Sequence, residues 1–387
     1  MKLWKRAAAA LKDRKSLLTA SLTRRSTVQN PDLETAVIHA TNHDDSSVDY
    51  KNAHRVYKWI RASPANLRPL VHVLSCRVDR SRSWVVALKS LMLIHGVLCC
   101  KVPSLSEIRR LPFDLSAFSD GHSRPSKTWG FNAFVRAYYA FLDQYSFFLS
   151  EQIQRHRENR KLGQKDSSSL SQDLEQIQKF QSLLDILLQI RPMGENMRRT
   201  LILEAMDCVV IEITDIYGRI CSSISKILVK IHQRATKSEA ATALKIVQKA
   251  MSQGEELALY FEFCKEFGVS NAHKIPQFVR IPEEEIQTIE RIINGAEEKP
   301  KKEEPEEEKA IILVEKQPEL QTIITDKWEV FEEEDYYYNN RGEETKVTDE
   351  QHRKDEDKNL MTMMMMPLIV IDEPVYIHHT IPDLITF

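Results

Sequence analysis

The sequence predicts an all-α protein, on two observations. It contains only 10 glycines among 387 residues, against a usual share of about 7%. Rossmann and P-loop proteins need glycine where backbone amides approach phosphate, and turn-rich β proteins need it in their turns, so both classes are disfavoured. Apolar residues recur at helical spacing from residue 3 to residue 267, whereas the Asp-Gly pair at 120–121 is not flanked by the alternating runs of a β-hairpin.

The expected helices follow one another closely along the chain. They cover residues 3–22, 31–41, 48–62, 67–77, 84–100, 129–157, 170–190, 198–234 and 238–267. Pro103, Pro112 and Pro125 punctuate a loop region with a short helical turn at 105–111. The segment 84–100 is apolar nearly all round, which predicts the central buried helix. We expect His95, within that helix, to be a hydrogen-bonded core histidine.

The first of these helices is amphipathic and basic. Residues 2–25 contain eight basic side chains and one acidic side chain, Asp13. Leu3, Ala7, Leu11 and Leu18 lie close to one stripe. Such a helix can lie on an anionic membrane, and the alternative is that it docks on the body with its charges solvated. The side chains that we expect to contact lipid are Lys2, Trp4, Lys5, Arg6, Lys12 and Lys15.

Charge is distributed unevenly along the chain, although the formal net charge is only −2. Residues 1–110 hold 20 basic and 8 acidic side chains, a balance of +12, and residues 297–387 hold 11 basic and 25 acidic ones, a balance of −14. The run after residue 296 is charged and of low complexity, and it cannot bury enough apolar surface to fold. We therefore expect a helical domain at 1–295 and a disordered acidic tail at 296–387.

No segment of the sequence suggests a signal peptide or a transmembrane helix. The most apolar stretch, 84–100, is shorter than the roughly 20 residues of a membrane span and contains Lys89 and His95. Any membrane contact is therefore expected to be peripheral. The six cysteines lie in helix-like segments without a CxxC pair, as expected of free thiols in a reducing cytosol.

Five segments carry a family resemblance in their order along the chain. They read HATNHDDSSVDYKNAH at 39–54, RSRSWVVALKSLMLIH at 80–95, FSDGHSRPSKTWGF through NAFVRAYYAFL at 118–142, LLQIRPMGEN at 187–196 and FEFCKEFGV at 261–269. Together they resemble the ANTH domain of the clathrin-assembly adaptor family, especially its plant branch. The resemblance covers about residues 1–295 and implies a right-handed α-solenoid followed by an unstructured tail.

The same resemblance implies what the protein does. It indicates a non-enzymatic endocytic adaptor that binds phosphatidylinositol 4,5-bisphosphate, recruits and assembles clathrin through its tail, and in some members binds vesicular SNAREs. Its expected place is the cytosolic face of clathrin-coated pits and vesicles, with the Golgi apparatus as a further site. No cofactor, metal or nucleic acid is expected. The alternative is a helical protein-binding scaffold, a SNARE cargo adaptor that has lost phosphoinositide specificity.

The lipid motif of the family consists of a lysine followed by a second basic cluster that ends in Lys-x-Lys-His or Lys-Tyr. The corresponding positions here hold His39, Asp49, Lys51 and Asn52, and His54 lies two residues further on. Only Lys51 matches clearly. The resemblance therefore gives His39, Lys51 and His54 as lipid-binding candidates, secondary to the basic helix.

The tail contains one segment with a clear docking pattern. Residues 368–372 read Leu-Ile-Val-Ile-Asp, which matches a clathrin box of leucine, apolar, any, apolar and acid. An extended peptide of this kind places alternate apolar side chains in a groove on its partner. The expected contacts with the clathrin heavy chain are Leu368, Ile369, Ile371 and Asp372.

His39 and His43 are spaced i, i+4 and are the candidates for a metal site. Two histidines on one helix face can bind zinc, but the glutamate of an HExxH motif is missing. Surface histidines at a helix end are the expected reading.

Overall fold

The computed structural model describes residues 2–22, 31–121, 125–161, 169–273 and 281–294. Within these ranges, side chains are described except at 2–6, 20–22, 125–127 and 234. The described residues form α-helices joined by short 3-10 turns and loops, with no strand among them. The predicted all-α fold is confirmed for this part of the chain.

The described part contains α-helices of very different lengths. They are α1 Lys2–Leu22, α2 Pro31–Ala40, α3 Tyr50–Ala62, α4 Leu67–Ser81, α5 Trp84–Cys99, α6 Pro125–Lys161, α7 Leu170–Leu187, α8 Thr200–Arg234, α9 Lys237–Phe267 and α10 Glu283–Asn294. Local sequence explains several of their ends. Ser169 and Thr236 form capping boxes at the starts of α7 and α9, and Gly268 ends α9 in the left-handed conformation, which glycine adopts without strain.

The helices stack as a solenoid, each packing on neighbours in the chain. α1 lies on α2, α2 contacts α3 and α4, and α5 contacts α3, α4, α6 and α8. Further along, α7 packs between α6, α8 and α9, and α10 packs on α9. The prediction of a central buried helix is confirmed, because every side chain of α5 from Val85 to Leu98 is buried.

Two helices differ from the sequence prediction. Pro125 was expected to punctuate a loop, but it is the first residue of α6, a position where the missing amide hydrogen of proline would have had no partner. The amphipathic helix α10 was not predicted at all. Its signals were Pro282, three glutamates in the first turn and isoleucines at 286, 289 and 293. They lie between the last predicted helix, which ends at residue 267, and the charged run after residue 296.

Candidate membrane-binding surface

Helix α1 presents one apolar face to solvent. The side chains of Leu11 and Leu18 are 66% and 63% exposed, and they lie seven residues apart, two turns along the same face. The predicted lipid contacts Lys12 and Lys15 are also exposed. Lys2, Trp4, Lys5 and Arg6 belong to α1, but their side chains lie outside the described residues.

The other face of α1 is docked on the body through its only acidic residue. One carboxylate oxygen of Asp13 accepts a hydrogen bond from Nη2 of Arg77 in α4 at 2.5 Å and lies 2.7 Å from Nδ1 of His43. The second oxygen accepts from the backbone amide of His43 at 3.0 Å. Burial alone would raise the pKa of Asp13, but the hydrogen bonds from His43 and Arg77 outweigh it and lower the pKa below its ordinary value.

Arg77 is the buried centre of this contact, with only 7% of the residue exposed. Its guanidinium donates to Ser16 Oγ of α1 at 2.7 Å and to the backbone oxygen of Thr41 at 3.0 Å, besides Asp13. One arginine therefore joins α1, the end of α2 and α4. A buried guanidinium is stable here because carboxylate, hydroxyl and carbonyl oxygens satisfy its donors.

A cleft of about 440 Å³ lies between α1, α2 and α4. Basic side chains from two helices line it, together with hydroxyl groups, a thiol, apolar side chains and one carboxylate. The lining residues are Lys12, Lys15, Ser16, Thr19, Glu34, Ile38, His43, Val73, Cys76, Arg77, Arg80 and Ser81. Lys12 and Lys15 are predicted lipid contacts. The arginines of the lining, Arg77 and Arg80, are not among the residues that the sequence predicts to contact lipid.

A buried lysine of α5 binds the loop between α2 and α3, residues 41–49, through hydrogen bonds. Nζ of Lys89 in α5 donates to Oδ1 of Asn42 at 2.7 Å and to the backbone oxygens of Asp44 and Ser47, both at 2.6 Å. Burial is the largest influence on this ammonium group and lowers its pKa to about 8, although nearby carboxylates counteract the shift. Lys89 thus fixes the segment in which the family's lipid motif lies.

Two positions where the motif departs from its family pattern form the start of α3. Asp49 is the N-cap, and one of its carboxylate oxygens accepts from the backbone amide of Asn52 at 3.0 Å. The side-chain amide of Asn52 donates to the other oxygen at 2.8 Å. These residues therefore stabilise a helix end, worth about 1 kcal/mol for a typical N-cap, and the acid at 49 is engaged there.

The remaining motif candidates are placed on two helices. His39 is exposed in the last turn of α2, Lys51 is exposed in the first turn of α3, and His54 is half-buried on α3. None of the three lines the cleft beside α1. The structure thus separates the residues that the motif selected from the cleft to which Lys12 and Lys15 contribute.

The histidines considered for zinc do not share a helix face, because α2 ends at Ala40 and His43 belongs to the following loop. His43 is engaged with Asp13 instead. In the described residues, one group of potential metal ligands lies together in the core, namely His95, Cys99 and Glu212.

That core group is a hydrogen-bonded network, as predicted for His95. Its Nδ1 lies 2.7 Å from Tyr138 Oη and its Nε2 lies 3.1 Å from Oε2 of Glu212. Burial would raise the pKa of Glu212, but the hydrogen bond and charge interaction with His95 lower it. Cys99 donates weakly to the same carboxylate oxygen, at 3.9 Å.

The predicted clathrin-box residues Leu368, Ile369, Ile371 and Asp372 lie outside the described residues. Across the part of the chain that is described, every helix is too short or too polar to span a bilayer.

Comparison with known proteins identifies the family. The ANTH domain profile matches residues 32–295. At1g25240 of Arabidopsis thaliana, whose name classes it with the clathrin assembly proteins, is 69% identical over 390 residues, 100% of both chains. At1g68110 of the same organism, similarly named, is 62% identical over 393 residues and also covers both chains fully. The clathrin coat assembly protein AP180 of A. thaliana is 25% identical over 331 residues, which span 76% of this chain and 50% of its own length. The chain belongs to the ANTH-domain family of clathrin assembly proteins.

Proposed function

We propose that this protein is a non-enzymatic endocytic adaptor. Its helical body, residues 1–295, binds the cytosolic face of membranes that contain phosphatidylinositol 4,5-bisphosphate, and its tail, residues 296–387, recruits and assembles clathrin in coated pits and vesicles. The observation that carries the membrane role is the orientation of α1. Asp13 fixes one face on the body, and the opposite face presents Leu11 and Leu18 to solvent between basic side chains.

This orientation suits an interfacial helix. Exposed leucines can enter the boundary between headgroups and acyl chains, while lysines meet anionic lipid. Each lysine or arginine near an anionic surface contributes about 1 kcal/mol at physiological salt. Lys12 and Lys15 flank the leucines, so binding energy from charge and from apolar burial is available at one surface.

Co-sedimentation with vesicles tests the membrane role. Vesicles of phosphatidylcholine with phosphatidylinositol 4,5-bisphosphate are compared with vesicles that carry equal charge as phosphatidylserine. We expect the full chain to pellet preferentially with the first kind and the Leu11→Ser, Leu18→Ser variant to lose most binding. The matched control is Val229→Ser with Leu259→Ser, which removes two exposed apolar side chains from α8 and α9.

Two outcomes would count against this proposal. Equal loss in both variants would show that α1 has no special role. Binding that follows charge alone, without preference for the phosphoinositide, would favour the scaffold without headgroup specificity.

The clathrin role needs a separate experiment because it resides in the tail. The full chain, immobilised, is expected to retain the clathrin heavy-chain terminal domain, and Leu368→Ala with Ile371→Ala is expected to reduce retention strongly. Replacing Ile311 and Leu313 with alanine is the control, because that apolar run lacks the leading leucine of the box. Undiminished retention by the Leu368, Ile371 variant would remove the segment from the mechanism.

A further inference from the structure

The core group of His95, Cys99 and Glu212 leaves one polar atom without a partner. His95 is fully buried and Glu212 is only 4% exposed. Oε2 of Glu212 is shared between the ring of His95 and the thiol of Cys99, whereas the other carboxylate oxygen, Oε1, is buried and makes no hydrogen bond to any described residue. Tyr145 lies near this carboxylate and helps to lower its pKa, but no hydrogen bond reaches Oε1. A buried oxygen without a partner is costly, so a further ligand is expected at this point.

The three side chains supply the atoms that bind zinc in proteins. Imidazole nitrogen, carboxylate oxygen and thiolate sulfur lie about 2.0–2.3 Å from Zn²⁺, so the ligand atoms of a tetrahedral site are about 3.3–3.6 Å apart. Here Nε2 of His95 lies 3.1 Å and Sγ of Cys99 lies 3.9 Å from Oε2 of Glu212. All three atoms lie within 4.8 Å of one another. Calcium and magnesium fit this set less well, because both prefer oxygen ligands.

The surroundings of the three ligands also suit a zinc ion. Nδ1 of His95 lies 2.7 Å from Tyr138 Oη. Once zinc takes the place of a proton on Nε2, the remaining ring N–H donates to this hydroxyl and fixes the orientation of the ring. One carboxylate and one thiolate balance the two charges of the ion, so no net charge is buried.

Zinc binding requires the thiol of Cys99 to lose its proton. Burial raises the pKa of this thiol in the metal-free protein, but a thiol that coordinates zinc is deprotonated outright. The proton passes to solvent when the sulfur–zinc bond forms. Cys99 is the last residue of α5 and is half-buried, whereas the other two ligands are buried. We therefore expect the ion to enter from this end of the helix.

We propose that His95, Cys99 and Glu212 form a structural zinc site that joins α5 to α8, with Oε1 of Glu212 completing the coordination. The site goes beyond the proposed adaptor function and does not depend on it. It also departs from the sequence-based expectation that the protein binds no metal. Because the ligands are brought together only in the folded chain, the binding free energy of zinc stabilises the fold.

Zinc titration of the full chain tests the site. The chain is freed of metal with a chelator and then titrated with zinc sulfate in a calorimeter. We expect one ion to bind at the core site and the thermal midpoint to rise. Cys99→Ala removes a ligand but only a weak hydrogen bond of 3.9 Å, so this variant should fold. Loss of a residue that merely orients a ligand weakens metal binding about 10–100-fold, so loss of the ligand itself should weaken it at least about 100-fold.

Cys76→Ala is the matched control for this titration. Sγ of Cys76 lies 3.8 Å from Nε2 of His72, one turn away on α4, so this pair is a second place where a thiol and an imidazole could hold zinc. The control should bind zinc to the core site with the affinity of the wild type. An unchanged affinity in Cys99→Ala, or an equal loss in Cys76→Ala, overturns the proposal.

Cobalt(II) gives a second readout, which a purely structural role of Cys99 would not move. Tetrahedral cobalt absorbs visible light, and a cobalt–thiolate bond adds a charge-transfer band in the near ultraviolet. We expect both absorptions in the wild type and in Cys76→Ala, and no thiolate band in Cys99→Ala. A wild-type chain without the thiolate band would overturn the proposal even if a variant failed to fold. Vesicle and clathrin binding are measured separately, so failure of the zinc site leaves the proposed adaptor function untouched.

Discussion

Replacing Lys89 with methionine should loosen the loop between α2 and α3. Methionine keeps an unbranched apolar stem of similar length but has no ammonium group. Three oxygens of the loop, the Asn42 side-chain oxygen and the backbone oxygens of Asp44 and Ser47, then lose donors that lie at 2.6–2.7 Å in the wild type.

The magnitude follows from these three bonds. Leaving a buried acceptor without a partner costs about 1–3 kcal/mol. Water can reach part of this loop, because Asn42 and Asp44 are half-buried and Ser47 is exposed. Removing a buried charge also relieves the cost of its desolvation. Taking the low end for each acceptor, about 1 kcal/mol, we expect the free energy of unfolding to fall by about 3 kcal/mol.

Urea unfolding measures this loss as a lower midpoint at an unchanged m-value. Hydrogen exchange should also become faster in residues 41–49. The matched control is Lys58→Met on the exposed side of α3, which should change stability by no more than about 0.5 kcal/mol. A loss below about 1 kcal/mol for Lys89→Met, with unchanged exchange in the loop, would refute the role that we assign to this lysine.

Four further changes test other features of the fold. A Cβ atom at Gly96 would lie 2.2 Å from the buried Tyr57 hydroxyl. Gly96→Ala should therefore lower the free energy of unfolding by about 1–3 kcal/mol, which is measured as a lower thermal midpoint. The Cβ atom added by Gly218→Ala would meet nothing within 4 Å, so this change should raise the free energy of unfolding by about 0.5–1 kcal/mol. A Gly96→Ala variant more stable than the Gly218→Ala variant would be inconsistent with the packing of α5. The pKa of Asp13 is lowered from its ordinary value of 3.8. The carboxylate therefore stabilises the docked α1 fully at a pH above 3.8, and this stabilisation is lost as the pH falls through the lowered pKa. Rate-corrected hydrogen exchange of α1 should show this loss in the wild type and not in Asp13→Asn. Glu212→Gln keeps the shape of the buried side chain but weakens its bond to His95, and a loss of about 1–3 kcal/mol is expected in urea unfolding; no loss would mean that the charge of Glu212 is not needed.

Periodicity predicted the parts of the fold that depend on local sequence. The apolar run of α5 indicated burial on all sides. Because His95 lies within this run, its hydrogen-bond partner was expected to be another core residue. The stripe that placed Leu11 and Leu18 together on α1 is likewise a property of one helix. Helix α10 was within reach of the same method, since Ile286, Ile289 and Ile293 follow helical spacing.

The contacts that build the candidate site could not be predicted in this way. Asp13 meets His43 and Arg77, which are 30 and 64 residues away in the chain, and no local pattern selects one arginine among the 20 basic residues of the first 110. Lys89 likewise appeared only as a charge in an apolar helix. Its partners are backbone oxygens of a loop about 45 residues earlier, a pairing that becomes visible only when α2, α3 and α5 are packed.

The geometry of α1 makes docking on the body compatible with the proposed membrane contact, two alternatives that the sequence left open. Successive residues of an α-helix are rotated by about 100°, so Leu11 and Leu18 project about 140–160° away from Asp13, nearly opposite to it. The carboxylate can remain on Arg77 and His43 while both leucines stay exposed. Docking and the proposed membrane contact would therefore use different faces of one helix and need not compete. If the proposed membrane role is correct, the body should approach the bilayer with α1 in its docked orientation, and disrupting the docking face with Asp13→Lys should weaken vesicle binding even though it adds positive charge. Stronger binding by Asp13→Lys would mean that charge alone, and not the fixed orientation of the helix, determines membrane affinity.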